Sequence, residues 1–167
     1  MLVFLMNLKH ELKALGVIEK GDFKLRGGSN SNIYFNIKKA YGYPKLLEKI
    51  SEELFGLIDK DITCVAASGY GGIPLAVAIS QKYSLYLTMI RPELKDHGNL
   101  WLVDGYVPTR QDNVAIIDDV FTTGSSLSDT IRPIKEITNI DGCYVVFKRT
   151  KNNFSCKLRY LFSYKDF

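Results

Sequence analysis

Apolar side chains recur at helical spacing at the start of the chain. Leu5, Leu8, Leu12 and Leu15 are three or four residues apart, so they would share one face of a helix. The pattern predicts an amphipathic helix over roughly the first fifteen residues. Gly16 then stands where a glycine commonly ends a helix.

The rest of the chain alternates between strand-like and helical patterns. A turn rich in Gly, Ser and Asn predicts a hairpin over 23–37, and Pro44 begins a helical pattern that ends near Leu57. Further on, we predict strands at 62–67, 85–90, 114–117 and 143–147, and helices at 73–81 and 125–137. This alternation predicts an α/β fold with a mostly parallel central sheet flanked by helices. We divide the chain into an N-terminal helix and hairpin, residues 1–40, and an α/β core, residues 41–167.

Composition narrows the class of protein. With 167 residues, 46% of them hydrophobic and 24% charged, the chain is typical of a globular protein with one main domain. The three cysteines form no CxxC pair, which predicts reduced thiols and no zinc site. The start of the chain does not resemble a signal peptide, and no apolar stretch approaches the ~20 residues of a membrane span. We therefore expect a soluble, cytoplasmic protein without membrane contacts.

The net charge of +4 is spread along the chain instead of forming a basic run. A mild positive charge of this kind suits small anionic substrates at least as well as nucleic acid. We expect small-molecule partners and no nucleic acid.

The strongest chemical signal is IIDDVFTTGSS, residues 116–126. A buried strand would bring Asp118 and Asp119 to the carboxyl edge of the sheet, where open α/β folds bind ligands. The chain then turns through hydroxyl-bearing residues and a glycine into a helix, whose N-terminal amides attract phosphate. Alternatively, the acids only end a strand while Thr123 or Ser125 caps the next helix. The two features together favour a phosphate site whose carboxylates accept sugar hydroxyls or approach a substrate-borne magnesium ion.

Two other polar segments carry weaker signals. ASGYGGIP, residues 67–74, places three glycines in a turn between a strand and a helix, where backbone amides could approach an anion. A long polar stretch over 91–111 begins with RPELKDHG, whose clustered cations could close over a ligand. Each segment also has a simpler interpretation, as an ordinary tight turn and a solvated charged loop. The chain contains neither GxxxxGK[ST] nor GxGxxG, so a P-loop or dinucleotide site is not indicated.

Three of these segments resemble one enzyme family. Residues 116–126 resemble the motif with which type I phosphoribosyltransferases bind phosphoribosyl pyrophosphate (PRPP). Residues 91–98 resemble the RKxxKxHG signature of orotate phosphoribosyltransferases, and residues 23–36 resemble their FxLKSGxxSPxYF(D/N) segment. The resemblance implies the type I fold with a small N-terminal hood. It also implies conversion of orotate and PRPP to orotidine 5′-monophosphate and pyrophosphate in de novo pyrimidine biosynthesis.

The resemblance also implies a cofactor and an assembly. Mg²⁺ would be carried by PRPP, with no direct protein ligand expected. The chain would form a homodimer in which the lid begun by RPELKDHG reaches the partner's site. A phosphoribosyltransferase for a purine or uracil, and a non-catalytic regulator of the same fold that senses PRPP, remain the alternatives.

The same resemblance assigns residues to each part of the substrates. The ribose and 5′-phosphate would be bound by Asp118, Asp119, Thr122, Thr123, Gly124, Ser125 and Ser126. The pyrophosphate would be bound by Arg26, Gly69, Tyr70, Gly71, Arg91, Lys95 and His97. Orotate would contact Arg26, Tyr34, Phe35 and Arg149, and the catalytic residues would be Lys95, His97 and Asp119.

Some positions differ from the family's pattern. The pyrophosphate loop of the family commonly contains a non-proline cis peptide, and Gly69–Tyr70 is the matching bond. Pro92 and Gly71 stand where lysine is frequent, Arg26 replaces a lysine, and Lys148 stands where an acid is common. The two missing lysines put full affinity for pyrophosphate in question.

Overall fold

The computed structural model describes residues 2–24, 30–91 and 102–167. The N-terminal part contains α1 (Leu2–Ala14), β1 (Ile18–Lys24), β2 (Asn30–Phe35), α2 (Lys38–Tyr41) and α3 (Pro44–Phe55). Then follow β3 (Cys64–Ser68), α4 (Gly69–Tyr83), β4 (Tyr86–Ile90), β5 (Val103–Gly105), β6 (Asn113–Phe121) and α5 (Ser125–Ile131). The chain continues with β7 (Asn139–Lys148), β8 (Leu158–Ser163) and a 3-10 helix (Tyr164–Asp166).

The main sheet has six strands in the order β5-β4-β3-β6-β7-β8. All neighbouring strands are parallel except β4 and β5. A separate antiparallel hairpin is formed by β1 and β2. The predicted α/β fold with a mostly parallel sheet is therefore confirmed.

Alternating side chains of the central strands build a core on each face of the sheet. In β3, Val65 and Ala67 pack on one face, while Cys64 and Ala66 pack on the other. The first face is covered by α1, α3 and α4, and the second is covered by α5. Burial on both faces explains why the inner strands are continuous apolar runs.

Several predicted elements are present, with changed bounds. The first helix is confirmed as α1, and Gly16 beyond it takes φ +68° and donates its N–H to the Lys13 carbonyl at 3.0 Å. The hairpin is confirmed as β1 and β2. The helix predicted over 125–137 was too long, because Pro133 has no N–H with which to continue the α-helical hydrogen bonds. The division of the chain at residue 40 stays a prediction.

Four elements of the described chain were not predicted: α2, β5, β8 and the 3-10 helix at Tyr164–Asp166. The stretch 91–111 is not a loop throughout, because β5 pairs with β4 and the Arg91 side chain forms an ion pair with Asp104. Within the part of the chain that the structure describes, no helix is both long and apolar enough to cross a bilayer.

Candidate active site

The site lies where β3 ends beside the middle of β6. Strand β6 pairs with β3 only as far as Ile117, but it pairs with β7 as far as Phe121. Asp118 and Asp119 therefore stand next to the turn that leaves β3. Parallel strands bring their carboxyl ends to one edge, so the two predicted anion-binding segments meet here as expected.

Asp118 and Asp119 are buried and face different parts of this site. Asp118 is hydrogen-bonded to the Ser126 side chain at the start of α5, and its Oδ1 accepts the Asp119 N–H at 2.9 Å. Asp119 accepts the Val120 N–H through Oδ1 at 2.8 Å and the Lys38 ammonium through Oδ2 at 2.9 Å. Burial, and then the neighbouring charge of Asp119, raises the pKa of Asp118 to about 7.

The turn from β6 into α5 is built around Gly124. Its φ of +87° favours glycine, and a Cβ there would lie 2.7 Å from the ring of Phe154. Thr123 and Ser125 are exposed, with their hydroxyl oxygens 3.4 Å apart. The hydroxyl of Thr150, just beyond β7, donates to the Thr122 carbonyl at 2.8 Å and holds the start of the turn. The predicted phosphate-binding residues thus lie together on one turn and the first residues of one helix.

The glycine-rich segment forms the first turn of α4, which begins earlier than predicted. A Cβ at Gly71 would lie 2.5 Å from Asp119 Oδ1, and one at Gly72 would overlap the Ile117 carbonyl. Glycine therefore lets α4 begin directly against residues 117–119 of β6, with its first-turn amides beside Asp119. The expected cis bond was wrong: no described residue has a cis peptide, and Gly69 turns the chain with φ +64° instead. Tyr70 is 90% exposed.

Two residues of α2 complete this side of the site. The Tyr41 hydroxyl donates to the Gly71 carbonyl at 2.7 Å, and Lys38 forms the ion pair with Asp119. Burial raises the pKa of Tyr41, so its phenol remains a neutral donor. Sequence reasoning missed both residues. The available signal was a lysine and a tyrosine at i, i+3 between the hairpin and Pro44.

Arg149 follows β7 and lies next to the last residue of β6. The Arg149 N–H donates to the Phe121 carbonyl at 3.0 Å, which fixes Arg149 beside the end of β6. Burial lowers the pKa of Arg149. Burial lowers the pKa of Lys38, but the charge and the hydrogen bond of Asp119 raise it, and the pKa is raised overall. Tyr34 lies in β2, and its ring centroid is 5.3 Å from that of Phe23.

Phe35 was wrongly assigned to the orotate site. It is 5% exposed, and its ring centroid is 4.7 Å from that of Phe147 in the core. Successive side chains of a strand point to opposite faces, so Tyr34 and Phe35 of β2 cannot both face one ligand.

The remaining predicted residues belong to the lid and the hairpin turn. Arg26, Lys95 and His97 lie outside the described residues. Arg91 lies just after β4, and its Nε donates to Asp104 Oδ2 at 2.6 Å. In the ranges that are described, no three His, Cys, Asp or Glu side chains come together as a metal site.

Comparison with known sequences and structures finds several similar proteins, and those described here have the same name. No protein-family model matches the chain. It is 35% identical over 146 residues to an orotate phosphoribosyltransferase of Methanocaldococcus jannaschii, covering 87% of the chain and 81% of the relative. It is 36% identical over 126 residues to the orotate phosphoribosyltransferase of Methanosarcina mazei, covering 75% and 67%. The crystal structure of orotate phosphoribosyltransferase from Aeropyrum pernix superposes with a TM-score of 0.82 at 26% identity, covering 95% and 94% of the two chains.

Proposed function

The chain belongs to the orotate phosphoribosyltransferase family, and we propose that its acids, hydroxyl turn and glycine turn bind PRPP for that family's reaction. The enzyme joins orotate to PRPP and forms orotidine 5′-monophosphate and pyrophosphate, a step of pyrimidine biosynthesis.

One observation carries the assignment of PRPP. The two buried carboxylates lie between two helix starts, with Asp118 on the side of α5 and Asp119 on the side of α4. PRPP has the same arrangement of groups: a ribose with a phosphate on one side and a pyrophosphate on the other. Helix N-termini bind phosphate groups, and carboxylates accept hydrogen bonds from sugar hydroxyls. The 5′-phosphate therefore belongs at residues 122–126, the ribose hydroxyls at the acids, and the pyrophosphate at Gly69, Tyr70 and Gly71.

Orotate is assigned to the side of Arg149 and Tyr34. A guanidinium can donate two parallel hydrogen bonds to a carboxylate, which suits a carboxylated pyrimidine. Its position beside the end of β6 puts Arg149 close to the proposed ribose site. Arg26 is proposed as a further contact of orotate and pyrophosphate.

The chain's own residues bind and orient the reacting groups. An orotate ring nitrogen attacks the anomeric carbon of an oxocarbenium-like ribose, the bond from that carbon to the pyrophosphate oxygen breaks, and the proton of the nitrogen is released to the departing pyrophosphate or to water. Asp119 holds the ribose, and Lys95, His97 and Arg91 close over the pyrophosphate and stabilise its growing negative charge. For Arg91 this requires leaving its partner Asp104.

Magnesium is proposed as the metal that PRPP brings to the site. The carboxylate oxygens of Asp118 and Asp119 suit such an ion. Some of them already accept hydrogen bonds from Lys38 and backbone amides. The acids can therefore flank an ion held mainly by phosphate oxygens, without forming a protein cage. When bound, the ion would neutralise charge on the leaving pyrophosphate.

The lid assignment has a direct test. Replacing Lys95 by Ala should lower turnover by roughly 10²–10³, as loss of one charge-stabilising donor does in other enzymes, while the fold is retained. Unchanged kinetics would refute the assignment. We further propose a cytoplasmic homodimer in which each lid reaches the partner's site.

The proposed reaction is tested by following orotate loss by absorbance, with PRPP and Mg²⁺ present. Purine bases and uracil in parallel assays serve as controls. We expect orotate to be consumed and the purine bases and uracil to remain unchanged. Consumption of another base, or calorimetric binding of PRPP without any turnover of orotate, would contradict the proposal.

A further inference from the structure

Lys38 brings a positive charge to the carboxylate that is proposed to hold the ribose. Its Nζ lies 2.9 Å from Asp119 Oδ2. The Asp119 side chain is only 12% exposed, whereas that of Lys38 is 41% exposed. The ammonium of a partly exposed side chain thus contacts an almost buried carboxylate.

The contacts of α2 place this charge on the pyrophosphate side of the ribose. Asp118 faces the hydroxyl turn through Ser126, whereas Asp119 lies against Gly71. Tyr41, one helical turn after Lys38, donates to the Gly71 carbonyl. Helix α2 is therefore attached to the glycine turn by one residue and to Asp119 by another.

Position 71 carries no cation of its own in this chain. A side chain there would begin 2.5 Å from Asp119 Oδ1, so Asp119 in its present position excludes every residue larger than glycine. The Lys38 ammonium contacts the other oxygen of the same carboxylate. A lysine on α2 thus supplies charge to a region that a side chain on α4 cannot enter.

We propose that Lys38 is a pyrophosphate-binding residue, held on Asp119 in the free protein and transferred to the pyrophosphate of PRPP when the ribose engages Asp119. The inference rests on the proposed function and adds a residue that the sequence motifs do not contain. A pyrophosphate carries more negative charge than one carboxylate and attracts the ammonium more strongly. Release of Lys38 frees Asp119 Oδ2 to accept a ribose hydroxyl, so both binding events favour each other.

The test compares two adjacent lysines. Lys38→Met removes the charge and keeps an unbranched apolar stem, and Lys38→Arg keeps the charge. Lys39→Met is the matched control, because Lys39 is 42% exposed and pairs with Glu19 away from the acids. Each protein is titrated by calorimetry with pyrophosphate plus Mg²⁺, with PRPP plus Mg²⁺, and with ribose 5-phosphate.

Lys38→Met should weaken the binding of pyrophosphate and of PRPP by about 10- to 100-fold. This is the range expected for loss of one hydrogen bond to a charged group. Ribose 5-phosphate should bind to Lys38→Met as tightly as to the parent or more tightly. Lys39→Met and Lys38→Arg should bind all three ligands within a few-fold of the parent. If Lys38→Met bound ribose 5-phosphate as weakly, relative to the parent, as it binds pyrophosphate, Lys38 would only position Asp119 and the proposal would fail. Unchanged affinity for pyrophosphate would also overturn the proposal.

A measurement on the unchanged protein covers the case in which Lys38→Met does not fold. With ¹³C-labelled lysine, the Cε resonance missing from the Lys38→Arg spectrum belongs to Lys38. It should shift when pyrophosphate and Mg²⁺ are added, and its failure to shift would contradict the proposal. If the parent protein never consumes orotate, the proposed function fails. If it consumes orotate while Lys38→Met binds pyrophosphate normally, only this inference fails.

Discussion

Replacing Gly71 by Ala tests the packing of α4 against the acids. The added Cβ would lie 2.5 Å from Oδ1 and 2.6 Å from Cγ of Asp119, so the carboxylate must move. Moving it breaks the hydrogen bond from the Val120 N–H and the ion pair with Lys38. The substitution therefore disturbs the proposed ribose ligand without changing any charged residue.

Loss of these two contacts should affect the stability of the fold and the affinity for PRPP by different amounts. The hydrogen bond contributes about 0.5–1.5 kcal/mol, and an ion pair with a partly exposed lysine adds about 0–1 kcal/mol. Their sum of about 0.5–2.5 kcal/mol should lower the melting temperature by roughly 1–10 °C in a chain of this length. Loss of one hydrogen bond from a charged ligand group should raise KM for PRPP by about 10- to 100-fold.

Gly16→Ala is the matched control. Gly16 has φ +68°, and no atom of the described residues lies within 4 Å of the position that a Cβ would take, so alanine there adds about 1–2 kcal/mol of backbone strain without a clash among them. Both variants should lose similar stability by thermal unfolding, but only Gly71→Ala should lose affinity for PRPP in steady-state kinetics. A Gly71→Ala enzyme with the parent's KM would refute the reasoning, because Asp119 would then not be needed where the structure places it.

Three other substitutions test separate parts of the site. The pKa of Asp118 is raised to about 7, so the folded protein keeps a proton that the unfolded chain loses above about pH 4. The contribution of Asp118 to the stability of the fold therefore falls as the pH rises from about 4 to 7. The melting temperature of Asp118→Asn relative to the parent should therefore increase from pH 5 to pH 8, and a constant difference would contradict the burial argument. Gly124→Ala should destabilise by at least about 1–2 kcal/mol in chemical denaturation, because φ is +87° and Phe154 occupies the space of a Cβ; the cost should be smaller in a Phe154→Ala background. Arg149→Lys should raise KM for orotate by about 10- to 100-fold while KM for PRPP changes little. A raised KM for PRPP with an unchanged KM for orotate would contradict the assignment of Arg149 to orotate.

The sequence predicted the centre of the fold better than its edges. Strands β6 and β7 are buried on both faces, so their apolar runs are unmistakable. Strand β8 lies at the sheet edge and mixes buried Phe162 with exposed Arg159 and Tyr160, so it lacks a clear period. Helix α2 is a single turn, too short for a helical period, and contacts such as the Tyr41–Gly71 hydrogen bond help to hold it.

The site was predicted where its residues are consecutive and missed where they are distant. The hydroxyl turn and the two acids form one continuous motif, so their spacing alone indicated a phosphate site. Lys38 and Asp119 are 81 positions apart, and no local pattern relates them. The error at Phe35 has the same origin, because only the packing against Phe147 shows which face of β2 points inward.

The central claim is that PRPP lies across the edge of the sheet between the starts of α4 and α5. A crystal structure of the protein with PRPP and Mg²⁺ tests it most directly. We expect the 5′-phosphate within hydrogen-bonding distance of Thr123, Ser125 and the α5 amides, and the ribose hydroxyls at Asp118 and Asp119. PRPP bound at another place on the protein, with these residues unoccupied, would contradict the account.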